Sequence, residues 1–304
     1  MNKMKYPKIS VLVAAYKSEN VIRDAMNHFI NEVKYPNLEV IVGVDTREDK
    51  TIDIVREFAK KSKRIIVDFS EERRGIVKAM NSMLRKSKGN IIIKFDAEFR
   101  FINPSKCLYK VIKYYEDPNI GALTFYGKLP PRFYEKILVS RLVKAQDFMS
   151  QIVQDWRKDK YPVIKGNFDM PLSVHCFRGG IFKKIDTESI NDDAEFAYSV
   201  LDKGYEILFT KDILFYSLVE PANLLNVFYR QRRCRVGWLK IAKKRKINFK
   251  KYYASLFLFL LFNFYKYKIY DLVSLFYFIF AYTIALIGAF FKVNEKITKI
   301  WVKK

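Results

Sequence analysis

The sequence predicts an α/β domain with a mostly parallel sheet, followed by a C-terminal α-helical membrane hairpin. Three observations support this prediction. Short apolar runs alternate with amphipathic stretches over about the first hundred residues, a pattern typical of βαβ units. Two carboxylates follow closely on the apolar run IIIKF, where parallel sheets bind their ligands. Two apolar segments follow a basic stretch near the end of the chain.

The individual elements follow from hydrophobic periodicity. Short apolar runs bounded by polar turns indicate strands, and apolar residues three or four positions apart indicate helices. Gly89 is expected to end the third helix as its C-cap. The predicted strands are 8–16, 38–45, 64–70, 90–96 and 120–128, and the predicted helices are 19–33, 51–62, 75–89 and 104–117. The N-terminus is interpreted as the first strand and not as a signal peptide.

The middle of the chain is less regular. Residues 133–156 form a long amphipathic pattern, which fits either a helix packed on the sheet or a helix lying on a bilayer surface. A strand within 173–185, a helix over 191–205 and a strand over 206–212 complete the predicted domain, which extends over residues 1–240.

The overall charge limits the kinds of partner. The chain has 56 Lys and Arg against 32 Asp and Glu, a formal net charge of +24, so it favours a nucleic acid, a phosphorylated substrate or a membrane surface. Its three cysteines are scattered, which argues against a disulfide framework and favours a reducing compartment. Only two histidines are present, which disfavours a zinc site.

Residues 241–304 are of a different kind. Residues 230–251 contain eleven Lys and Arg and no acid, and apolar segments follow at about 252–268 and 272–291. The second has the length of a bilayer span. A two-helix hairpin places both basic flanks on one side, which predicts a cell-membrane protein with its catalytic domain in the cytoplasm. Alternatively, the first segment lies in the interface and only 272–291 spans.

Asp96 and Glu98 are the first candidate site. Two carboxylates at the end of a buried strand are costly to desolvate unless a cation meets them. Mg²⁺ takes one or two protein carboxylates together with substrate phosphates, so the pair is suited to holding a metal on a diphosphate. The alternative is a pair of solvated loop acids.

Four stretches resemble, in order, the donor-side motifs of the family 2 glycosyltransferases: VLVAAYKSENVI, VGVDTREDKT, RRGIVKAMNSML and FDAEFRF. The resemblance runs from about residue 8 to about 240 and implies the GT-A fold, which is Rossmann-like. It also implies nucleotide-sugar contacts from Tyr16, Glu19, Asp45, Gly75, Lys78, Asn81 and Asp96. Val44 replaces one aspartate of the second motif. Glu98 replaces the second aspartate of the D-x-D motif, and with Asp96 it would bind Mg²⁺ or Mn²⁺.

Three further stretches resemble the rest of the family pattern. NDDAEF resembles the E-D motif, which makes Asp193 the catalytic base and Asp192 a donor contact, with helix capping as the alternative. CFRGGIF resembles the segment between donor and acceptor, which implicates Arg178 and Gly179; an ordinary tight turn is the alternative. QRRCRVGW resembles a degenerate Q-x-x-R-W motif. It implicates Gln231, Arg232, Arg235 and Trp238, although a basic patch for anionic lipids remains open.

The resemblance implies inverting, metal-dependent transfer of a sugar from a UDP- or GDP-sugar. The apolar tail favours a lipid-linked acceptor at the cytoplasmic face of the membrane, and a base at Asp193 favours a hydroxyl acceptor. A polyprenyl-phosphate sugar synthase is an alternative. The rival class is a non-enzymatic basic protein that binds membranes or nucleic acid, although the clustering of charge beside apolar segments argues against nucleic acid.

Overall fold

A computed structural model of the chain describes residues 6–128, 153–159, 161–166, 174–181, 184–185, 192–218, 236–237 and 240–247. The chain divides into two compact units. The first consists of Met1–Gly127, Val163–Gly166 and Leu172–Leu218, and the second of Lys128–Pro162, Asn167–Pro171 and Val219–Lys304.

The first unit contains most of the described structure. Its strands are β1 (Ile9–Ala15), β2 (Leu38–Asp45), β3 (Ile65–Ser70), β4 (Ile91–Asp96), β5 (Phe99–Phe101), β6 (Ile120–Lys128), β7 (Val163–Ile164), β8 (Cys176–Arg178) and β9 (Glu206–Ser217). Its helices are α1 (Glu19–Asn27), α2 (Thr51–Lys61), α3 (Ile76–Lys86), α4 (Pro104–Tyr114) and α6 (Asp192–Leu201), where α5 denotes the helical residues 153–159 of the second unit.

The strands form a single mixed sheet in the order β3-β2-β1-β4-β8-β6-β9-β5, with β7 paired to β9. β1, β2, β3 and β4 pair in parallel, as the βαβ pattern predicts. The prediction of a mostly parallel sheet fails beyond β4, because β8 runs antiparallel to both β4 and β6. The short strands β5, β7 and β8 have too few residues for their direction to be read from the sequence.

Both faces of the sheet are covered. On one face, α1, α2 and α4 bury their apolar residues in a shared core that includes Phe29, Phe58 and Val111. On the other face, α3 packs closely: a Cβ on Gly43 of β2 would lie 2.9 Å from the Met83 sulfur. Because side chains alternate along a strand, Phe95 points into the core shared with α1, α2 and α4. Its neighbours Lys94 and Asp96 point to the opposite face of the sheet, on which α3 packs.

Two helix ends differ from the prediction. The first predicted helix continues beyond Asn27 as a π-helical turn, His28–Glu32, in which both His28 and Phe29 are buried. The third helix ends at Lys86, so Gly89 is not its C-cap. A Cβ on Gly89 would lie 2.6 Å from the backbone nitrogen of Ser10, which shows that this glycine permits close packing between β1 and the start of β4.

The second unit is described only in short pieces. Residues 153–159 are helical, and the Trp156 ring packs edge-on against Tyr161 at 5.6 Å between centroids. Residues 240–245 are also helical, and the Ile247 backbone N–H donates to the Ala242 carbonyl. Most of the amphipathic helix predicted over 133–156 lies outside the described residues.

The predicted cell-membrane location requires correction. Across the ranges that the structure describes, no helix combines the length and apolar character needed to cross a bilayer. The proposed spans 252–268 and 272–291, and with them the C-terminal hairpin, lie outside those ranges.

Candidate active site

The carboxyl ends of the parallel strands bring the predicted donor residues together. β1 pairs with β4 so that Ala14 lies opposite Asp96, and it pairs with β2 so that Ala15 lies opposite Val44. Tyr16, Asp45 and Asp96 therefore lie at one edge of three adjacent strands, which are about 4.8 Å apart in such sheets. We refer to this edge as the carboxyl edge.

Asp45 is fully engaged with the turn that follows β3. It is only 6% exposed, and its carboxylate accepts hydrogen bonds from the Arg74 backbone N–H at 2.8 Å, the Arg74 Nε at 2.8 Å and the Gly75 N–H at 3.0 Å. Gly75 has φ +79°, a conformation that glycine adopts without strain, and it begins α3. Asp45 thus fixes the backbone at the start of α3, a role that the family resemblance does not indicate.

Arg74 links Asp45 to a second buried acid, Asp68 of β3. Its Nη1 donates to the Asp68 carboxylate at 3.0 Å, and Ser82 and Lys86 of α3 complete the surroundings of that carboxylate. Burial raises the pKa of Asp68, but the contacts with Lys86, Ser82 and Arg74 bring it below its ordinary value overall. Sequence reasoning missed this network because its members lie on separate elements.

Tyr16 lies on the exposed rim of the carboxyl edge. The Arg73 guanidinium covers its ring at 4.2 Å from the centroid, and its hydroxyl donates to Glu48 at 3.5 Å. Glu48 also pairs with Lys17 at 2.7 Å, which raises the pKa of Lys17 and lowers that of Glu48. A flat ring and a guanidinium in contact are suited to stacking on a nucleobase.

Glu19 and Lys78 differ in what they contact. The Glu19 carboxylate accepts from the Lys50 backbone N–H at 3.2 Å, so it caps the residues before α2. Lys78 is exposed in the first turn of α3, next to Gly75, which leaves its ammonium at the surface. The observed contact of Glu19 is therefore structural. The predicted contact of Lys78 with a phosphate stays a prediction.

Asp96 ends β4, Glu98 lies in the two-residue turn between β4 and β5, and both are half-buried. Arg100 supports this turn from below: its Nη1 donates to the Ala97 carbonyl at 2.6 Å, and its Nη2 donates to the Val21 carbonyl at 2.8 Å. Arg100 is buried, and burial lowers its pKa. Sequence reasoning missed Arg100, whose only signal was an arginine between two phenylalanines just after two acids.

These carboxylates fit a divalent cation that carries a nucleotide. Among the described residues, no group of three or more His, Cys, Asp or Glu side chains is arranged to hold a metal ion by itself. Mg²⁺ and Mn²⁺ at phosphate sites take one or two protein carboxylates and complete their coordination with phosphate oxygens and water. The donor set of Asp96 and Glu98 matches that partial coordination.

Asp193, the predicted base, reaches the same sheet face from the first turn of α6. Its carboxylate forms an ion pair with Lys94, which lies on β4 two residues before Asp96. The Lys94 side chain is 10% exposed and that of Asp193 is 42% exposed. Sequence reasoning missed Lys94, whose signal was a lone lysine inside the apolar run IIIKF.

Three predicted site residues have other contacts in the structure, and their role at the nucleotide sugar stays a prediction. β8 runs antiparallel to β4 with Arg178 opposite Ile91, so Arg178 and Gly179 lie at the amino end of β4, away from Asp96. Arg178 donates to the carbonyls of Tyr115, Asp117 and Ile120. The Asn81 side-chain amide donates from Nδ2 to the Ile185 carbonyl at 3.0 Å and accepts from the Ile185 N–H at Oδ1 at 2.8 Å.

The remaining predictions are outside the described part of the chain. These are the contacts of Gln231, Arg232, Arg235 and Trp238 and of the Asp192 side chain. They stay predictions.

His28 is buried and His175 is partly buried, and both accept backbone hydrogen bonds, which is consistent with structural roles. His28 accepts a hydrogen bond from the Phe101 N–H at 3.1 Å, and burial lowers its pKa despite its contact with Glu32. The His175 Nδ1 accepts from the Phe125 N–H at 3.1 Å, and burial lowers its pKa to about 3.

Comparisons of the sequence agree with this geometry. A family model described as Glycosyl transferase family 2 matches residues 10–185, more than half of the chain. The chain is also 29% identical over 241 residues to the probable glycosyltransferase YdaM of Bacillus subtilis. That match covers 76% of this chain and 55% of YdaM, so the chain spans about half the length of that relative.

Solved structures show a similar fold. The mannosyltransferase PcManGT from Pyrobaculum calidifontis, in complex with GDP-Man and Mn²⁺, superposes with a TM-score of 0.65 at 18% identity. The match covers 98% of this chain and 88% of PcManGT. TarS 1-349 from S. aureus, in complex with UDP-GlcNAc, has a TM-score of 0.51 at 17% identity and covers 93% of this chain and 81% of its own.

Proposed function

The chain belongs to glycosyl transferase family 2, and we propose that its carboxyl edge transfers a sugar from a nucleotide sugar to an acceptor hydroxyl with inversion. One observation carries this proposal. Asp96 and the candidate base Asp193 lie on the same side of the sheet, because Asp193 forms an ion pair with Lys94, two residues before Asp96 on β4. A metal-binding carboxylate pair beside a separate carboxylate is the arrangement that a single displacement between donor and acceptor requires.

The nucleoside would lie along β1, β2 and the start of α3. The Tyr16 ring supplies a flat surface at this rim, and Arg73 supplies a cation that covers it. Asp45 holds the backbone of Arg74 and Gly75, which shapes the floor of this region. Lys78, which is exposed in the first turn of α3, would contact a phosphate.

The diphosphate would lie at the acidic turn. Asp96 and Glu98 would hold Mg²⁺ or Mn²⁺, which would offset the charge that develops on the leaving diphosphate. The complex of PcManGT with GDP-Man and Mn²⁺ supports this assignment for a protein of similar fold. Arg100, through its contact with the Ala97 carbonyl, fixes the backbone that carries both acids.

Asp193 would act as the general base. It accepts the proton of the acceptor hydroxyl while the hydroxyl oxygen attacks the anomeric carbon of the sugar. The bond from the anomeric carbon to the diphosphate oxygen breaks as the new glycosidic bond forms on the opposite face. The nucleoside diphosphate leaves, and the configuration at the anomeric carbon is inverted.

We further propose a lipid-linked saccharide as the acceptor and a UDP- or GDP-sugar as the donor. A base is superfluous for an acceptor that is already an anionic phosphate, so Asp193 favours a hydroxyl over a bare polyprenyl phosphate. The eleven Lys and Arg within 230–251 would attract the phosphates of such a carrier. Gln231, Arg232, Arg235 and Trp238 belong to this stretch, where an arginine is suited to bidentate contact with phosphate oxygens.

The test is a turnover screen of the purified full-length chain. UDP- and GDP-sugars are supplied with Mn²⁺, Mg²⁺ or EDTA and with a lipid extract as acceptor, and release of the nucleoside diphosphate is measured. We expect turnover of at least one donor that depends on the metal. The variant Asp193→Asn should lose transfer while retaining donor affinity. Absence of metal-dependent turnover with every donor would contradict the proposal.

A further inference from the structure

A lysine lies inside the sheet next to the acidic turn. Lys94 occupies the fourth position of β4, between the buried residues Ile93 and Phe95, and its side chain is 10% exposed. An ammonium group removed from water in this way is unfavourable unless an anion or hydrogen-bond acceptors compensate it. A central strand between apolar neighbours is therefore an unusual place for lysine, and its partner indicates why it is there.

Among the described residues, one partner of the Lys94 ammonium is the carboxylate of Asp193, which is 99 positions further along the chain. The ion pair joins the Lys94 Nζ to the Asp193 Oδ1. The Asp193 side chain is 42% exposed, so the carboxylate is anchored at one oxygen from inside the sheet while the group remains accessible from outside. This geometry is suited to a base that must receive a proton from a bound acceptor.

Packing fixes the helix that carries Asp193, but not the direction of its carboxylate. Phe196 of α6 stacks on Phe177 of β8 with 5.0 Å between ring centroids, and Ala194 and Ala197 are fully buried. These contacts hold the backbone of α6, including Ala194 next to Asp193, whereas the Asp193 side chain has rotatable bonds of its own. The Lys94 ammonium, carried by the rigid strand β4, restricts rotation of the Asp193 carboxylate. A supporting residue holds a reactive group in productive geometry in this way.

We propose that Lys94 is a positioning residue for Asp193: it anchors one carboxylate oxygen and thereby directs the group at the acceptor hydroxyl. This inference rests on the proposed function, because it assigns Asp193 the role of base. The positive charge of Lys94 also offsets repulsion between the Asp193 carboxylate and the acids of the neighbouring turn. The competing role for Lys94 is direct contact with a donor phosphate, which would make it a binding residue.

Steady-state kinetics of the full-length protein with its donor, Mn²⁺ and acceptor distinguish these roles. The variant Lys94→Met keeps the length and apolar stem but removes the charge. We expect kcat to fall about 30-fold while KM for the donor stays within about twofold, since the donor contacts are intact. Lys94→Arg should restore a substantial part of kcat because it retains a cation. The matched control Lys113→Met removes an exposed lysine from α4 and should match the wild type.

A double-mutant cycle gives the sharper readout. If Lys94 acts through Asp193, Lys94→Met should change kcat by less than about twofold in the Asp193→Asn background. Additive losses, or a raised donor KM in Lys94→Met, would overturn the positioning role. So would a wild-type kcat in that variant. If Lys94→Met loses its cooperative unfolding transition, Lys94→Gln and Lys94→Arg replace it, and equal kcat values for the two would also overturn the inference.

The two proposals fail in different ways. A wild-type protein without metal-dependent turnover overturns the proposed function and this inference together. If the wild type is active but Lys94→Met has a wild-type kcat, or its loss of kcat adds to that of Asp193→Asn, the inference alone is overturned.

Discussion

The two edges of the sheet use similar residues for different purposes. At the amino end of β4, Arg178 donates to the carbonyls of Tyr115, Asp117 and Ile120. At the carboxyl edge, Arg74 and Arg100 instead hold the backbone and acids of two site turns, next to the half-buried Asp96 and Glu98. An arginine at one edge therefore stabilises the fold, whereas at the other edge arginines shape a site.

The glycines of the two edges differ in the same way. A Cβ on Gly179 would lie 2.1 Å from the Gly89 carbonyl oxygen, so close packing requires glycine there. A Cβ on Gly75 would meet nothing within 4 Å, and its positive φ alone calls for glycine at the start of α3. Substitutions at the amino edge should therefore reduce stability, and substitutions at the carboxyl edge should reduce activity.

The largest effect is expected for Asp96→Asn. Loss of one carboxylate from the proposed metal site should reduce transfer by about 10³-fold, similar to other losses of transition-state stabilisation. Because Asp96 is half-buried at the end of a strand, the midpoint of thermal unfolding should shift by less than about 2 °C. The matched control is Asp117→Asn, at the amino edge, which should keep full activity. Equal activity of Asp96→Asn and Asp117→Asn would contradict the claim that the two edges differ in their contribution to transfer.

The next largest effect is expected for Gly179→Ala. The added methyl group would collide with the backbone of Gly89, and overpacking against backbone destabilises by about 3 kcal/mol. Chemical denaturation measures this loss, and the specific activity of the folded fraction should stay unchanged. In the control Gly166→Ala, the added Cβ would meet nothing within 4 Å, but the residue has a positive φ. This variant therefore measures the cost of backbone strain without crowding. A Gly179→Ala protein with wild-type stability and impaired transfer would contradict the structural role of this edge.

A smaller, pH-dependent effect is expected in the interior between the edges. The pKa of His175 falls from 6.5 to about 3 because the ring is buried, so the unfolded chain binds a proton below pH 6.5 that the folded protein does not. Stability should therefore fall with decreasing pH between these values, by about 1.4 kcal/mol per pH unit for this group.

His175→Gln supplies the control for that prediction, because it retains an acceptor for the Phe125 N–H. Between about pH 4 and 7, the wild type should lose stability relative to this variant as the pH decreases. A constant difference over that range would show that His175 is not held neutral in the fold.

The smallest effect is expected for Glu48→Gln on the rim. The Lys17–Glu48 ion pair is exposed, and exposed pairs contribute little to stability. The midpoint of thermal unfolding should stay within about 2 °C of the wild type in differential scanning calorimetry. A clear decrease would mean that the rim contributes to the fold as the amino edge does.

The first half of the fold was readable from the sequence because its periodicity is local. β1, β2, β3 and β4 and the helices between them agree with the predicted segments to within a few residues. β5 and β7 were missed because two or three residues carry no periodicity. The direction of β8 depends on its pairing with β4, so the position of Arg178 and Gly179 at the amino end of β4 was not readable from the sequence.

The candidate site was readable only in part. Asp45 and Asp96 stand at strand ends, and a strand end is visible in a sequence. Lys94, Arg74 and Arg100 were missed because their roles follow from partners on other elements. Asn81, expected at the nucleotide, has a contact that the sequence does not reveal: it bonds to the backbone of Ile185.

The most direct test of the carboxyl edge is calorimetric titration of the wild-type protein with UDP and GDP in Mn²⁺ and in EDTA. We predict that at least one of these nucleotides binds in Mn²⁺, and that both EDTA and Asp96→Asn weaken that binding by tenfold or more. Equal affinity in Mn²⁺ and EDTA, or an Asp96→Asn variant that binds as the wild type does, would contradict the assignment of this edge to a metal–nucleotide site.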